Sequence, residues 1–189
     1  LEAVMAGAGF DSEADLGAFR VPLGKTKVAI HDYDYSIATY AVGLEHLSIN
    51  ALHLAMIGAA VANGGTMTSP RLIRGRRSVL GDSLAFPTRS TSRSLASPAA
   101  TRKVIESMKA VVTNPRGTGR RAAVPGLTIA MKTGTAGQSV PGFNALIVGF
   151  APADEPRIAF GMILEHAGPA EFAGAKATAD FFAQLRDRL

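Results

Sequence analysis

The sequence predicts an α+β fold in which an antiparallel sheet packs against helices, and three observations predict it. Helical patterns come first, at Ile49–Ala62 and from Pro98 to about Val112. Three apolar runs follow, at Leu127–Thr135, Asn144–Ala151 and Arg157–His166, and the links between them are too short for a parallel crossover, which takes about a dozen residues or more. An amphipathic stretch, Glu171–Leu189, then closes the chain with Phe172, Ala175, Ala179, Phe182 and Leu185 on one side.

The elements follow from local chemistry. Leu1 to Val42 is mixed and Gly-rich, with polar turns at Asp11–Glu13 and His31–Asp34, and reads as loops with short helices. Ser48 is suited to cap a helix, because its hydroxyl can accept a bond from an orphan backbone N–H. The run after it is apolar on nearly all sides, which predicts a buried helix, and Asn63-Gly64-Gly65 ends it because Gly tolerates the left-handed turn that closes a helix. His53 lies in this apolar helix and reads as a hydrogen-bonded core residue. Thr66–Ile73 predicts a short strand or hairpin arm bent at Pro70. Residues 74–97 are rich in Ser, Arg and Thr without periodicity, which predicts a basic loop. Ser97-Pro98 places a capping residue before Pro at the first helical position, and the helix it opens turns Val104, Met108 and Val111 to the core. Asn114–Gly119 breaks it; the strands after that are separated by Gly137–Gly142 and Pro152–Pro156.

The chain has 189 residues, roughly one domain at about 150 residues each, and 47% of them are apolar, enough for one core. With no Cys, a disulfide scaffold, a thiolate–metal site and a cysteine nucleophile are excluded. The longest apolar stretch, Ala51–Ala62, falls short of the roughly 20 residues that span a bilayer. The opening Leu1-Glu2-Ala3 shows neither an initiator Met nor a signal peptide, and the chain reads as a piece of a longer protein. Between Arg71 and Arg121 twelve Lys and Arg face only Asp82 and Glu106, while the rest of the chain carries eight bases and thirteen acids. A basic half of this kind can serve an anionic partner or be a solvated Arg-rich loop. No nucleic-acid partner is expected: aromatics are 6% of the chain, Trp is absent, and no zinc-finger, RNP or basic-zipper pattern accompanies the charge.

The residues with chemistry are Lys132-Thr133-Gly134-Thr135-Ala136, at the end of the first predicted strand of the meander. Lys132 supplies a positive charge. Thr133 and Thr135 supply hydroxyls on one face, because alternate strand residues share a side. Gly134 lets a ligand lie against the backbone. The pattern suits capture of an anion; a Lys at a strand end before a turn is the plainer alternative.

These residues resemble the KTG motif of the penicillin-binding protein transpeptidase domain. Further segments are similar to that family in its order and spacing: Leu47–Pro70 with Asn63-Gly64-Gly65, Val111-Val112 followed by Gly117-Thr118-Gly119, Ile129–Ala136, and Asn144–Pro152. The similarity runs from about Leu44 to the C-terminus. It implies a β-lactamase/transpeptidase-like fold, incomplete at its N-terminal side, with residues 1–189 as the C-terminal part of one domain. It also implies serine acyl transfer on the D-Ala-D-Ala stem peptides of peptidoglycan at a site that β-lactams acylate, in a periplasmic or otherwise extracytoplasmic parent anchored to the inner membrane. In such a site a Ser of S-x-x-K attacks the carbonyl, and that Lys and an S-x-N motif move the protons. On this sequence, Lys132 would steer the substrate and support the proton network. The Thr133 and Thr135 hydroxyls would bind the substrate carboxylate beside Gly134, and the Thr135 N–H would be half of an oxyanion hole.

The nucleophile of that pattern is missing. No Ser in the chain is followed by Lys three positions later. Ser48-Ile49-Asn50 spells S-x-N but opens the buried helix, so Ser48 reads as a cap. Met131 stands where the family has Gly, and Leu146-Ile147 where it has an aromatic pair; both bear on substrate fit more than on fold. The chain alone is therefore expected to be inactive and to need the missing N-terminal half as its partner. The alternative is a binding or assembly module that kept the transpeptidase fold. No metal or other cofactor is expected: Asp32-Tyr33-Asp34 is a common string, and His31, His46, His53 and His166 lack ligand spacing. Glu165 and His166, at a strand end, are expected to form a rim salt bridge. Gly117-x-Gly119 lacks the strand-to-helix context of a dinucleotide loop.

Overall fold

The computed structural model describes residues 2–17, 19–26, 38–39, 41–43, 47–73, 75–84 and 92–189. The predicted α+β class is borne out, with the three-stranded meander at its centre. Among the described residues the helices are α1 (Glu2–Gly7), α2 (Ala51–Ala62), α3 (Pro98–Thr113) and α4 (Ala173–Leu185). The meander is formed by β9 (Ala130–Ala136), β10 (Asn144–Ala151) and β11 (Ile158–Leu164). Among the described residues eight shorter strands precede it: β1 (Glu13–Asp15), β2 (Arg20–Pro22), β3 (Lys25–Thr26), β4 (Leu47–Ser48), β5 (Thr66–Thr68), β6 (Arg76–Arg77), β7 (Ser83–Leu84) and β8 (Ser92–Ser94).

β10 is the central strand and pairs antiparallel with both neighbours, opposing Ile147 to Thr133 and Val148 to both Lys132 and Gly161. Strand alternation then assigns two faces. On one, Ile147, Met131, Ala145 and Phe160 pack with Ala175 and Phe182 of α4, and the Phe160 and Phe182 rings meet edge-on at 5.0 Å. On the other, Ala130 and Phe150 pack with Val61 of α2 and Met108 of α3. The helix α2 lies so close to this face that a Cβ added at Gly161 would fall 2.4 Å from the Ala51 carbonyl oxygen. Only Gly permits that approach.

The cap of α2 differs from the expectation. Asn50, not Ser48, caps it: the Asn50 side-chain oxygen accepts from the His53 N–H at 2.9 Å. Ser48 belongs to β4, where its hydroxyl accepts from Lys25 N–H at 3.3 Å. Both residues have capping chemistry, and the pairing of β4 with β3 delays the helix by two residues. The predicted stop holds. Gly65 N–H donates to the Ala60 carbonyl at 2.8 Å and Gly64 N–H to Val61 at 3.3 Å, the paired bonds of a Schellman ending, with Gly64 and Gly65 at φ +65° and +95°. His53 is fully buried, as expected: its Nδ1 accepts from Gly24 N–H at 2.9 Å, Nε2 faces the Ala8 carbonyl at 2.6 Å, and Phe10 packs edge-on against the ring.

Elsewhere boundaries move for identifiable reasons. The strand predicted from Leu127 starts at Ala130, because Leu127 closes a tight turn with Val124 around Pro125-Gly126. The strand predicted over Arg157–His166 shortens to Ile158–Leu164. The predicted 74–97 loop carries the β6–β7 hairpin and β8, and β8 pairs with β5 to form the partner strand that the Thr66–Ile73 segment required. α3 opens at Ser97 and Pro98 as expected, yet it buries Thr101, Met108 and Val112 while Val104 is exposed. The buried stripe is rotated away from Val104. Phe172 lies outside α4 and half exposed, with the Arg121 guanidinium 4.5 Å above its ring, and is not part of the α4 core.

Candidate active site

β9 is an edge strand of the meander, so among the described residues one side of its backbone has no strand partner. Strand alternation sets its side chains: Lys132 and Gly134 face the α2–α3 side, and Met131, Thr133 and Thr135 face the α4 side. Lys132, Gly134 and Thr135 are exposed and Thr133 is buried. The two hydroxyls share a face, but the cation lies on the opposite one. They are brought together only across the thin edge of the strand.

Each group already has a partner. Thr133 Oγ1 is 2.6 Å from Thr118 Oγ1, in the turn after α3. Thr135 Oγ1 accepts from Ala170 N–H at 3.1 Å, in the segment leading to α4, which leaves its own O–H free to donate. Lys132 Nζ donates to the Thr133 carbonyl, folding the ammonium along the strand. The strand is thus braced from the α3 turn and from the approach to α4.

Two concavities border β9, and Lys132 lines both. One, of about 440 Å³, runs over Lys132, Gly134 and Thr135 with Leu146 and Leu54. The other, of about 520 Å³, lies between β10, α2 and α3; its walls are apolar, from Ile57, Val61, Val104 and Met108, with Lys103 and Lys132 as its cations. The exposure of Val104 follows, because it lines this opening instead of packing against a neighbour.

The Gly117-Thr118-Gly119 turn explains its own sequence. Gly119 N–H donates to the Val111 carbonyl at 3.0 Å, and a Cβ at Gly117 would lie 2.2 Å from that same oxygen. The turn packs too tightly against the end of α3 for any side chain at 117, and in doing so presents Thr118 to Thr133. Thr118 and Ala170 are contributors that sequence reasoning missed. The Gly-Thr-Gly string was visible, but its contact with Thr133 spans fifteen positions and has no local signature.

The remaining candidates stand apart from β9. Among the described residues Glu165 and His166 form no ion pair, so the expected rim salt bridge is absent. His166 instead takes φ +54°, donates its N–H to Asn144 Oδ1 at 2.9 Å and sets its Nδ1 3.3 Å from the Gly142 carbonyl, bracing the β9–β10 turn. His31, Asp32, Asp34 and His46 lie outside the described residues. Among the described ones, no three His, Asp or Glu side chains gather as a metal site would require.

The site is thus a Lys-Thr-Gly-Thr edge strand of an antiparallel sheet packed between α2–α3 on one face and α4 on the other. Residues 2–187 match the family described as penicillin binding protein transpeptidase domain, and the chain belongs to it. It is 32% identical over 132 residues to the penicillin-binding protein PbpB of Mycolicibacterium smegmatis, covering 63% of this chain and 20% of that protein. It is 26% identical over 132 residues to the peptidoglycan D,D-transpeptidase PbpA of the same organism, covering 68% of this chain and 26% of that one. The solved D,D-transpeptidase domain of a peptidoglycan glycosyltransferase from Eggerthella lenta superposes with a TM-score of 0.85 at 25% identity, over 99% of this chain and 47% of that one. Penicillin-binding protein A from M. tuberculosis, solved as its imipenem acyl-enzyme, gives a TM-score of 0.81 at 24% identity, over 97% of this chain and 41% of that one, which shows a shared fold. The chain thus spans about a fifth to a quarter of these curated relatives and less than half of these solved chains.

Proposed function

We propose that this chain is the C-terminal part of one transpeptidase domain and forms the KTG wall of a peptidoglycan D,D-transpeptidase site. The observation that carries the reading is the edge of β9, where among the described residues no strand pairs with the backbone beside an exposed Lys132, Gly134 and Thr135. An extended stem peptide ending in D-Ala-D-Ala, or a β-lactam, lies along such an edge as an added strand, and Gly134 leaves room for it. Lys132 supplies positive charge toward the terminal carboxylate, and the Thr135 hydroxyl donates to it. The Thr135 N–H is half of the oxyanion hole for the carbonyl under attack. Thr133, buried against Thr118, acts by fixing the strand, not by touching substrate.

The Ser nucleophile and its Lys come from residues outside this chain. Their attack forms a seryl ester and releases the terminal D-alanine. The parent works outside the cytoplasm, where peptidoglycan is cross-linked, and is anchored to the inner membrane. The absence of any Ser-x-x-Lys also supports a second reading, a binding or assembly module that kept the fold.

Fluorescent penicillin labelling tests the proposal. The isolated chain is expected to show no covalent band, whereas the full parent shows one that Lys132→Ala weakens at least about tenfold, the loss of roughly 1.4 kcal/mol or more of transition-state stabilisation. A covalent adduct on the isolated chain overturns the claim of incompleteness. An unlabelled full parent that binds a D-Ala-D-Ala peptide reversibly overturns the enzyme reading in favour of the second.

A further inference from the structure

The β6–β7 hairpin has no part in the site above, and it is built to expose apolar side chains. Its tip is Ser78-Val79-Leu80-Gly81-Asp82, where Val79 and Leu80 stand at 105% and 92% of their reference exposure. Leu84 and, before the hairpin, Leu72 are exposed as well. Two adjacent aliphatic side chains held wholly in solvent need a reason, because folding normally buries such groups or scatters them singly. The turn that holds them out is internally bonded. Ser78 N–H donates to the Asp82 carbonyl at 2.8 Å and Gly81 N–H to the Ser78 carbonyl at 3.0 Å. The Ser78 hydroxyl accepts from Leu80 N–H at 3.2 Å and from Asp82 N–H at 3.1 Å. Most of the backbone donors at the tip are therefore satisfied without water, a condition for entering an apolar phase.

Charge sets the orientation. Arg76 and Arg77 form β6 at the base of the hairpin and are exposed, Arg71 is exposed five residues earlier in the chain, and residues 71–84 carry four arginines against Asp82 alone. An apolar tip above a basic collar matches the layers of an anionic bilayer, with acyl chains beneath a phosphate surface.

We propose that the Val79–Leu80 tip inserts into the interfacial layer of an anionic phospholipid bilayer while the exposed Arg71 and Arg77 pair with its lipid phosphates. A basic protein partner would be repelled by the arginines, and an acidic one would pair with them without accounting for an aliphatic tip held out in solvent. The contact is shallow and reversible. It sets the height and orientation of this domain over the membrane and does not anchor it.

Co-sedimentation of the full chain with vesicles tests the idea. Binding is expected to vesicles of phosphatidylcholine with about 30% phosphatidylglycerol and not to phosphatidylcholine alone, and to weaken as salt rises. Each of Arg71→Gln and Arg77→Gln should weaken it roughly fivefold, and Val79→Ser with Leu80→Ser at least about tenfold. The chain has no Trp, so Leu80→Trp provides a single reporter whose emission should shift to the blue on anionic vesicles only. Unchanged circular dichroism serves to exclude misfolding in each variant. No binding to anionic vesicles overturns the proposal. So does binding that ignores the Val79/Leu80 double substitution, or an unmoved Trp emission, since either reduces the contact to surface adsorption by charge.

Discussion

Thr118 and Thr133 meet hydroxyl to hydroxyl at 2.6 Å and tie the turn after α3 to the middle of the KTG strand. Thr133 is buried, so losing its partner leaves a polar atom with little water to replace it. Thr118→Val should cost about 1–3 kcal/mol in urea unfolding. The double substitution Thr118→Val with Thr133→Val should cost less than the sum of the single changes, by about 1 kcal/mol, because it removes both polar groups at once. Additive costs would show that the pair is not coupled.

His53 makes the fold sensitive to acid. Burial holds its pKa below the ordinary imidazole value; the bond to the Ala8 carbonyl opposes this, and the positive charge of Arg93 adds to it. In the folded protein the neutral ring accepts from Gly24 N–H, and a protonated ring cannot. Above the unfolded value of about 6.5 both states are neutral and His53 adds no pH dependence. As pH falls below it the unfolded chain takes up the proton first, so stability drops until the folded group titrates as well. Thermal melts stepped down from neutral pH through the unfolded value of about 6.5 should therefore show a falling Tm that flattens in His53→Gln. An identical slope in both proteins would remove His53 from the acid response.

The fold was legible wherever periodicity and turn chemistry agreed. Asn144–Ala151 matches its predicted limits because the run Ala145–Ala151, free of polar side chains, is bounded by the Gly142 turn with Asn144 on one side and by Pro152 on the other. α3 was legible at its start because Ser97-Pro98 carries a cap and an N1 proline together. What failed depended on distant partners. Ser48 and Asn50 are both capping residues, and only the pairing of β4 with Lys25 decides between them. Val104 has the right spacing for the α3 core yet borders an open groove, and spacing cannot see what a face is packed against. At the site, Lys132 through Thr135 were readable as a motif. Their distribution over two faces follows from strand alternation, but the engagement of both hydroxyls with Thr118 and the Ala170 N–H does not.

Asn50 and Ser48 can be separated by experiment. Asn50 caps α2 and its side-chain N–H₂ also donates to the Pro22 carbonyl at 2.7 Å. Asn50→Ala should cost about 1–2 kcal/mol, the usual range for a lost cap, and Asn50→Asp should recover the cap but not the bond to Pro22. Ser48→Ala removes one long bond at an exposed position and should change stability by less than about 0.5 kcal/mol. Guanidinium unfolding of the three variants decides the matter; a larger loss at Ser48 would return the cap to it.

The closest test of how α2 sits on the sheet is Gly161. Its missing side chain lets the backbone of α2 approach, with Ala51 O, Ala55 N and Leu54 Cβ all within 2.6 Å of where a Cβ would be built. Those neighbours are mostly backbone, which cannot rotate aside, so the helix as a whole must move. Gly161→Ala should cost about 1–3 kcal/mol and Gly161→Val more, since overpacking a filled contact strains both partners. Gly75→Ala is the matched control, with nothing within 4 Å of the added carbon, and should stay within about 0.5 kcal/mol of the parent. The displacement should also reach β9, because Gly161 opposes Val148 and Val148 opposes Lys132 in adjacent registers. Amide hydrogen exchange at Lys132 to Thr135 should therefore quicken in Gly161→Ala but not in Gly75→Ala. Unchanged exchange there would mean that β9 holds its place without α2, braced by Thr118 of the turn after α3 and by the Ala170 N–H.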